Sequence, residues 1–148
     1  MAQFNLKLTT QGVLLLAKAA AGKTLHFQAI VMGDGSYSGD PSAVQSVISP
    51  KKELEIYRIL RDGKKVSIRG VLGLNQIDTP FWWRELGLIA ADPDTGESVL
   101  AAYGNAMEKA DYIANGSVLD ERVIDISLVI DEAAEISTDT SGIVFAEE

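Results

Sequence analysis

Gly22-Lys23-Thr24 has the ending of a phosphate-binding loop, in which backbone N–H groups and a lysine hold a nucleotide's phosphates. The full pattern needs a glycine five residues before Gly22, and Ala17 stands there. The surroundings are also reversed. A phosphate loop leaves a strand and opens a helix, whereas this triplet closes a predicted helix and enters a predicted strand. The stretch from Asp34 to Gln45 imitates a calcium loop, with oxygen-bearing Asp34, Ser36 and Ser38 at alternate positions and Gly39 at the sixth. Its twelfth position, which should be a bidentate glutamate, is Gln45, and one carboxylate among the first three ligands offsets little of the ion's dehydration. A Gly/Ser-rich surface turn is therefore expected, with Asp34 between two glycines in a tight bend. His26 is the single histidine and there is no cysteine, so sites built on several imidazoles or on thiolates are excluded. A hydrolytic triad would have to use this one ring, and no activated nucleophile stands out to go with it. Carboxylate pairs are too abundant in the acidic C-terminal part for any one spacing to mark a general acid and base. No cofactor and no metal site is expected.

The most distinctive segment is Phe81-Trp82-Trp83-Arg84-Glu85-Leu86-Gly87-Leu88. In one continuous strand, Trp82, Arg84, Leu86 and Leu88 would share a face, and Phe81, Trp83, Glu85 and Ile89 the other. Both faces then carry large apolar groups and both should be covered. Arg84 and Glu85 would point opposite ways, each needing a partner from another strand, loop or subunit. Two readings stay open. Either both tryptophans are core, or one face meets the core and the other a partner, where Trp and Arg commonly anchor binding.

These residues have to be positioned by a mostly β framework. Phe4, Leu6 and Leu8 alternate as a short strand. Thr9 or Thr10 caps a helix running to about residue 21, which Gly22 stops. Leu25, Phe27 and Ala29 lead a strand into Gly33, and residues 34–50 read as a surface loop with one helical turn near 42–47. Leu54 and Ile56 open a hairpin that turns at Asp62-Gly63 and returns through Val66, Ile68, Leu72 and Leu74, with Gly70 and Gly73 marking a bulge or a close approach. A strand over 82–91 turns at Asp92-Pro93-Asp94-Thr95-Gly96 and comes back through Val99 to Tyr103. Residues 105–119 carry no clear period. Ile124, Ile126, Leu128 and Ile130 alternate as a further strand, and 143–145 could form a last one. The expected fold class is α+β: an antiparallel β-sheet or sandwich with one N-terminal helix, and residues 1–148 as a single domain.

Composition agrees with that reading. At 148 residues there is room for one core, and 47% hydrophobic with 4 prolines is the make-up of a folded chain. The net charge of −8 argues against a nucleic-acid binder. Charge is uneven: residues 1–84 carry 11 basic and 6 acidic side chains, residues 85–148 carry 2 and 15. Such surfaces could complement a neighbouring copy or simply keep one face solvated. There is no apolar run of membrane-spanning length, so no membrane insertion is expected. Val13-Leu14-Leu15-Leu16-Ala17 is too short for a secretory core, and no signal peptide is expected.

Met1-Ala2-Gln3-Phe4, the helix with Thr10, Gly12, Leu16-Ala17 and Ala19 to Gly22, then Leu25, Phe27 and Gly33-Asp34-Gly35 resemble the start of phage tail-collar fibre N-terminal domains. Residues 81–88 are similar to that family's aromatic Arg-Glu-x-Gly-Leu strand, and Tyr103-Gly104-Asn105 to the segment that follows it. The resemblance covers nearly the whole chain. It implies a non-enzymatic structural domain, a homotrimer that attaches a tail fibre to a baseplate protein of a contractile-tailed phage or phage-tail-like bacteriocin. It also implies a place in the virion or tail-like particle. The expected partner interface comprises Trp82, Trp83, Arg84, Glu85 and Asp34, helped by free sheet edges. The chain departs from the pattern at Pro80, where glycine is expected, and in ending at Glu148 where a complete fibre continues into a shaft and tip. That ending implies either a truncated fibre or an adaptor for a second fibre protein. The rival reading is a carbohydrate- or surface-binding module with Trp82, Trp83 and Tyr37 as an aromatic platform.

Overall fold

A computed structural model describes residue 4 and residues 6–73, 79–113, 121–129 and 135–138. Its elements run β1 (Lys7–Leu8), α1 (Thr10–Ala20), β2 (Thr24–Gly33), β3 (Pro50–Asp62), β4 (Lys65–Gly73), β5 (Phe81–Trp83), β6 (Glu85–Ala91), β7 (Ser98–Asn105), β8 (Asp111–Ile113), β9 (Glu121–Val129) and β10 (Glu135–Thr138). The fold is α+β: a mostly antiparallel sheet with one helix near the N-terminus. Sheet order is β1-β7-β6-β2-β3-β4-β9, with β10 lying parallel to the start of β2 and β5 pairing β8 in a separate ribbon.

The helix forms where capping chemistry allows. Thr9 is buried and extended, its hydroxyl oxygen accepts from the Gly12 N–H at 3.0 Å, and the hydroxyl donates to the Leu100 carbonyl of β7. At the other end Gly22 takes φ 108°, which lets Lys23 N–H reach the Lys18 carbonyl and Gly22 N–H the Ala19 carbonyl. The helix buries Gly12, Leu15 and Ala19 and packs on β7 and β2. A side chain at Gly12 would run into the Ala101 carbonyl. Gly12→Ala should therefore destabilise the protein by about 1–3 kcal/mol, the cost of overpacking, although alanine favours the helix by about 1 kcal/mol. Urea denaturation of the variant checks the sign; a rise in stability would mean that helix and sheet are not in that contact.

The sheet curls because β3 changes partner along its length: Pro50 and residues 52–55 pair with β2, and residues from Ile56 to Asp62 pair with β4. The register shifts between Ile56 and Arg58, opposite Gly70, at the bulge expected there. Gly70 lies against Ile30 of β2, so β4 has folded over the first strands and Ile30, Met32, Leu54, Ile68, Leu88 and Ile126 meet in one core. In β2 the expected face of Leu25, Phe27 and Ala29 does not run through unchanged. A register shift between Phe27 and Ala29 moves the core face to Ile30 and Met32. Asp62-Gly63 turns the β3–β4 hairpin with Gly63 at φ 63°, and β9 buries Ile124, Ile126 and Leu128 as its alternation demanded. The helical turn expected near 42–47 is a 3-10 turn at Pro41–Ala43. Leu74, Ile130 and the strand expected at 143–145 lie outside the described residues.

The turn between β6 and β7 is tied to the end of the helix. Lys18 Nζ stands 2.9 Å from Asp92 and 3.1 Å from Asp94, and Lys23 stands 3.0 Å from Asp94. The Asp94 N–H and Lys18 hold the Asp92 carboxyl below the ordinary aspartate range; Lys23 and Lys18 do the same for Asp94. Lys18 is pushed above 10.5 by its hydrogen bonds to both aspartates. A lowered carboxyl pKa stabilises above its unfolded value and loses that contribution as pH falls through the folded value. A raised lysine pKa stabilises below its unfolded value and loses it as pH rises through the folded one. Melting temperature should thus be level across neutral pH and fall below about pH 4, with Asp92→Asn removing part of that acid fall. A melting curve against pH for the two proteins is the check.

Candidate functional site

The expected single strand over 82–91 is broken at Arg84. Its N–H donates to the Gly33 carbonyl at 2.9 Å and its carbonyl accepts from Ala106 N–H at 2.8 Å, so neither continues a simple ladder. Before the break, β5 pairs with β8 and, after it, β6 lies between β2 and β7. The face assignment made for one continuous strand fails for this reason. Phe81 and Trp83 enter the same core as Leu86 and Leu88, and Trp82 turns outward. The far face of β6 and β7 is covered too, by Val44, Val47 and Tyr37 of the loop over 34–49, packed on Leu100, Tyr103 and Ile89.

Glu85 sits between these layers with 0% of its surface exposed. One carboxylate oxygen accepts from the backbone N–H of Gly35 at 2.8 Å and of Ser49 at 2.9 Å. The other accepts from Ile48 N–H at 2.7 Å and from the Tyr103 hydroxyl at 2.5 Å. A carboxylate is acceptor-only with room for about four donors, and here all are supplied by protein. Burial, and then the hydrogen bond to Glu85, push the Tyr103 phenol far above its ordinary value, which keeps it a donor. Asn105 donates to the Gly35 carbonyl at 2.9 Å and to the Tyr103 hydroxyl at 3.1 Å, and Arg84 donates to the Asp34 carbonyl at 3.2 Å. A side chain at Gly33 or Gly35 would meet the Glu85 carboxylate at 2.5 or 2.8 Å, so both positions need glycine for close approach rather than for turning. Gly33-Asp34-Gly35, Arg84-Glu85 and Tyr103-Gly104-Asn105, far apart in sequence, thus meet in one network that straps the loop onto β6 and β7.

This network spends its polar atoms on itself. Asp34 lends backbone groups to it, and its carboxylate stands 3.9 Å from Lys51. No group of three or more metal-ligating side chains gathers among the described residues. Gly22-Lys23-Thr24 leaves α1 and enters β2, and Lys23 is engaged with Asp94.

Of the five residues expected to meet a partner, Trp83 and Glu85 are instead inside, and Arg84 and Asp34 are partly buried. Trp83 is 6% exposed, its indole N–H donates to the Glu85 carbonyl at 2.9 Å, and its ring lies 4.8 Å from Phe4. It positions the site and cannot join Trp82 and Tyr37 in an aromatic platform. Trp82 remains at the surface, 48% exposed, and gains a neighbour that the sequence reading missed. Tyr112 of β8, 52% exposed, lies 5.1 Å from it, centroid to centroid. Trp82 and Tyr112 are paired in register, so the β5–β8 ribbon presents two aromatic rings outward while Phe81, Trp83 and Ile113 anchor it in the core. The ribbon thus offers an exposed aromatic pair, with its opposite side chains held in the core. No family model, no curated protein and no solved structure matches this chain.

Proposed function

We propose that this chain is the attachment domain of a tail fibre, joining a homotrimeric fibre to the baseplate of a contractile phage tail or phage-tail-like bacteriocin. The observation that carries the reading is the meeting of the separate segments on which the resemblance rests. Gly33-Asp34-Gly35, Arg84-Glu85 and Tyr103-Gly104-Asn105 lock one another through Glu85, so they behave as one structural device rather than as scattered matches. The device is a strap that fixes a loop and an aromatic ribbon, which suits a domain working by geometry. Trp82 and Tyr112 are the surface anchors in this reading, since exposed aromatic side chains commonly carry contact energy. Three copies on one fibre would combine weak individual contacts through avidity.

Light scattering on the purified chain tests the oligomeric part. A mass of three 15.9 kDa chains is expected. A single-chain mass at every concentration would overturn it.

A further inference from the structure

The far part of the β3–β4 hairpin is basic on a chain that is acidic as a whole. Between residues 58 and 69 stand Arg58, Arg61, Lys64, Lys65 and Arg69 against the single acid Asp62, whereas the whole chain carries −8. Strand pairing sets Arg58 directly opposite Arg69, in positions that alternate with buried Val66 and Ile68. Like charges so placed work against the pairing of their strands. Asp125 of β9, in register with Arg69, offsets part of this: Arg69 Nε stands 2.8 Å from one carboxylate oxygen and Nη2 3.0 Å from the other. The hydrogen bonds of Arg69 first, and then the charge of Arg58, hold the Asp125 carboxyl below the ordinary aspartate range. Arg58, Leu60, Ser67, Arg69 and Asp125 together line a hollow of about 110 Å³. Two guanidinium groups meet one carboxylate in that lining, so its balance is positive.

We infer that this hollow receives a carboxylate side chain from an acidic segment of the protein on which the domain docks. The inference deepens the attachment reading by naming the chemistry of its partner. Size excludes a whole cofactor or nucleotide, whose sites run to about 300–1,000 Å³, and leaves room for one functional group. Charge favours a carboxylate: one more balances the lining, whereas a phosphate group at about −1.5 to −2 overshoots and meets Asp125. Guanidinium and carboxylate also match as planar two-pronged groups, as Arg69 and Asp125 already do on this face. Around the hollow, Arg61, Lys64 and Lys65 are exposed near the hairpin turn and can meet further acids of the same segment. A basic hairpin on a chain of −8 gives an acidic partner one preferred orientation of approach.

The test follows a fluorescent oligo-glutamate peptide by anisotropy with the purified full chain, beside an oligothymidylate of equal length and light scattering with and without peptide. The peptide should bind, and binding should weaken as salt rises. Arg58→Gln should weaken it about tenfold or more, the loss of one charge-assisted hydrogen bond, while Lys109→Gln, an exposed lysine outside the hairpin, should leave it unchanged. Should Arg58→Gln fail to fold, the exposed pair Lys64→Gln with Lys65→Gln takes its place and should weaken binding in the same direction. No binding, or equal binding by the arginine and Lys109 variants, overturns the inference. Tighter binding of oligothymidylate overturns it in favour of phosphate. A multimer that falls apart when peptide is added overturns it in favour of a second copy on the hairpin. None of these outcomes depends on where the chain sits on particles, so the attachment reading stands or falls separately.

Discussion

Glu85→Ala should cost about 3–5 kcal/mol in urea denaturation, a large share of the roughly 5–15 kcal/mol by which a domain is stable. The substitution leaves the N–H groups of Gly35, Ile48 and Ser49 and the Tyr103 hydroxyl without their acceptor in a buried place. Each buried unsatisfied group costs about 1–3 kcal/mol, and relaxation of the loop recovers part of the sum. Glu85→Gln keeps the shape but turns an amide NH2 toward donors, so it too should destabilise, by less than the alanine. The loop over 34–49 should open first, and limited proteolysis within it should accelerate in both variants. An unchanged urea midpoint for Glu85→Ala would show that the strap holds nothing.

The adjacent tryptophans should answer to substitution in opposite ways. Trp83→Ala empties a core site and strips the Glu85 carbonyl of an indole donor, and it should cost about 3–5 kcal/mol. Trp82→Ala removes an outward ring touching Tyr112 and should move stability by no more than about 0.5 kcal/mol. Chemical denaturation of both variants is the check. If their costs were equal, the break at Arg84 would be misplaced and one continuous strand would return as the better description.

Much of the fold is legible in the residues because its signals are local. Thr9 caps and Gly22 stops the helix through their own chemistry, Asp62-Gly63 turns a hairpin, and Ile124, Ile126 and Leu128 show their buried face by alternation. The break at Arg84 is not local: it comes from hydrogen bonds to Gly33 and Ala106, which no periodicity displays. The role of Glu85 is hidden for the same reason, since most of its donors are backbone N–H groups of a loop and carry no side-chain signature. Sequence marks Glu85 as needing a partner and does not say that the partner lies within the chain. Tyr112 sits in a stretch without period, and its place beside Trp82 is set by the pairing of β5 with β8. The placing of β10 parallel to the start of β2 is likewise a matter of long-range pairing, in a segment whose residues alternate weakly.

The attachment reading is tested most directly by locating the protein on particles. Contractile-tail particles purified from the strain that carries the gene would be labelled with gold-conjugated antibody against this chain and viewed by negative-stain electron microscopy. The chain should sediment with the particles, and gold should cluster at the baseplate end. Protein that stays in the soluble fraction, with particles left unlabelled, would contradict it.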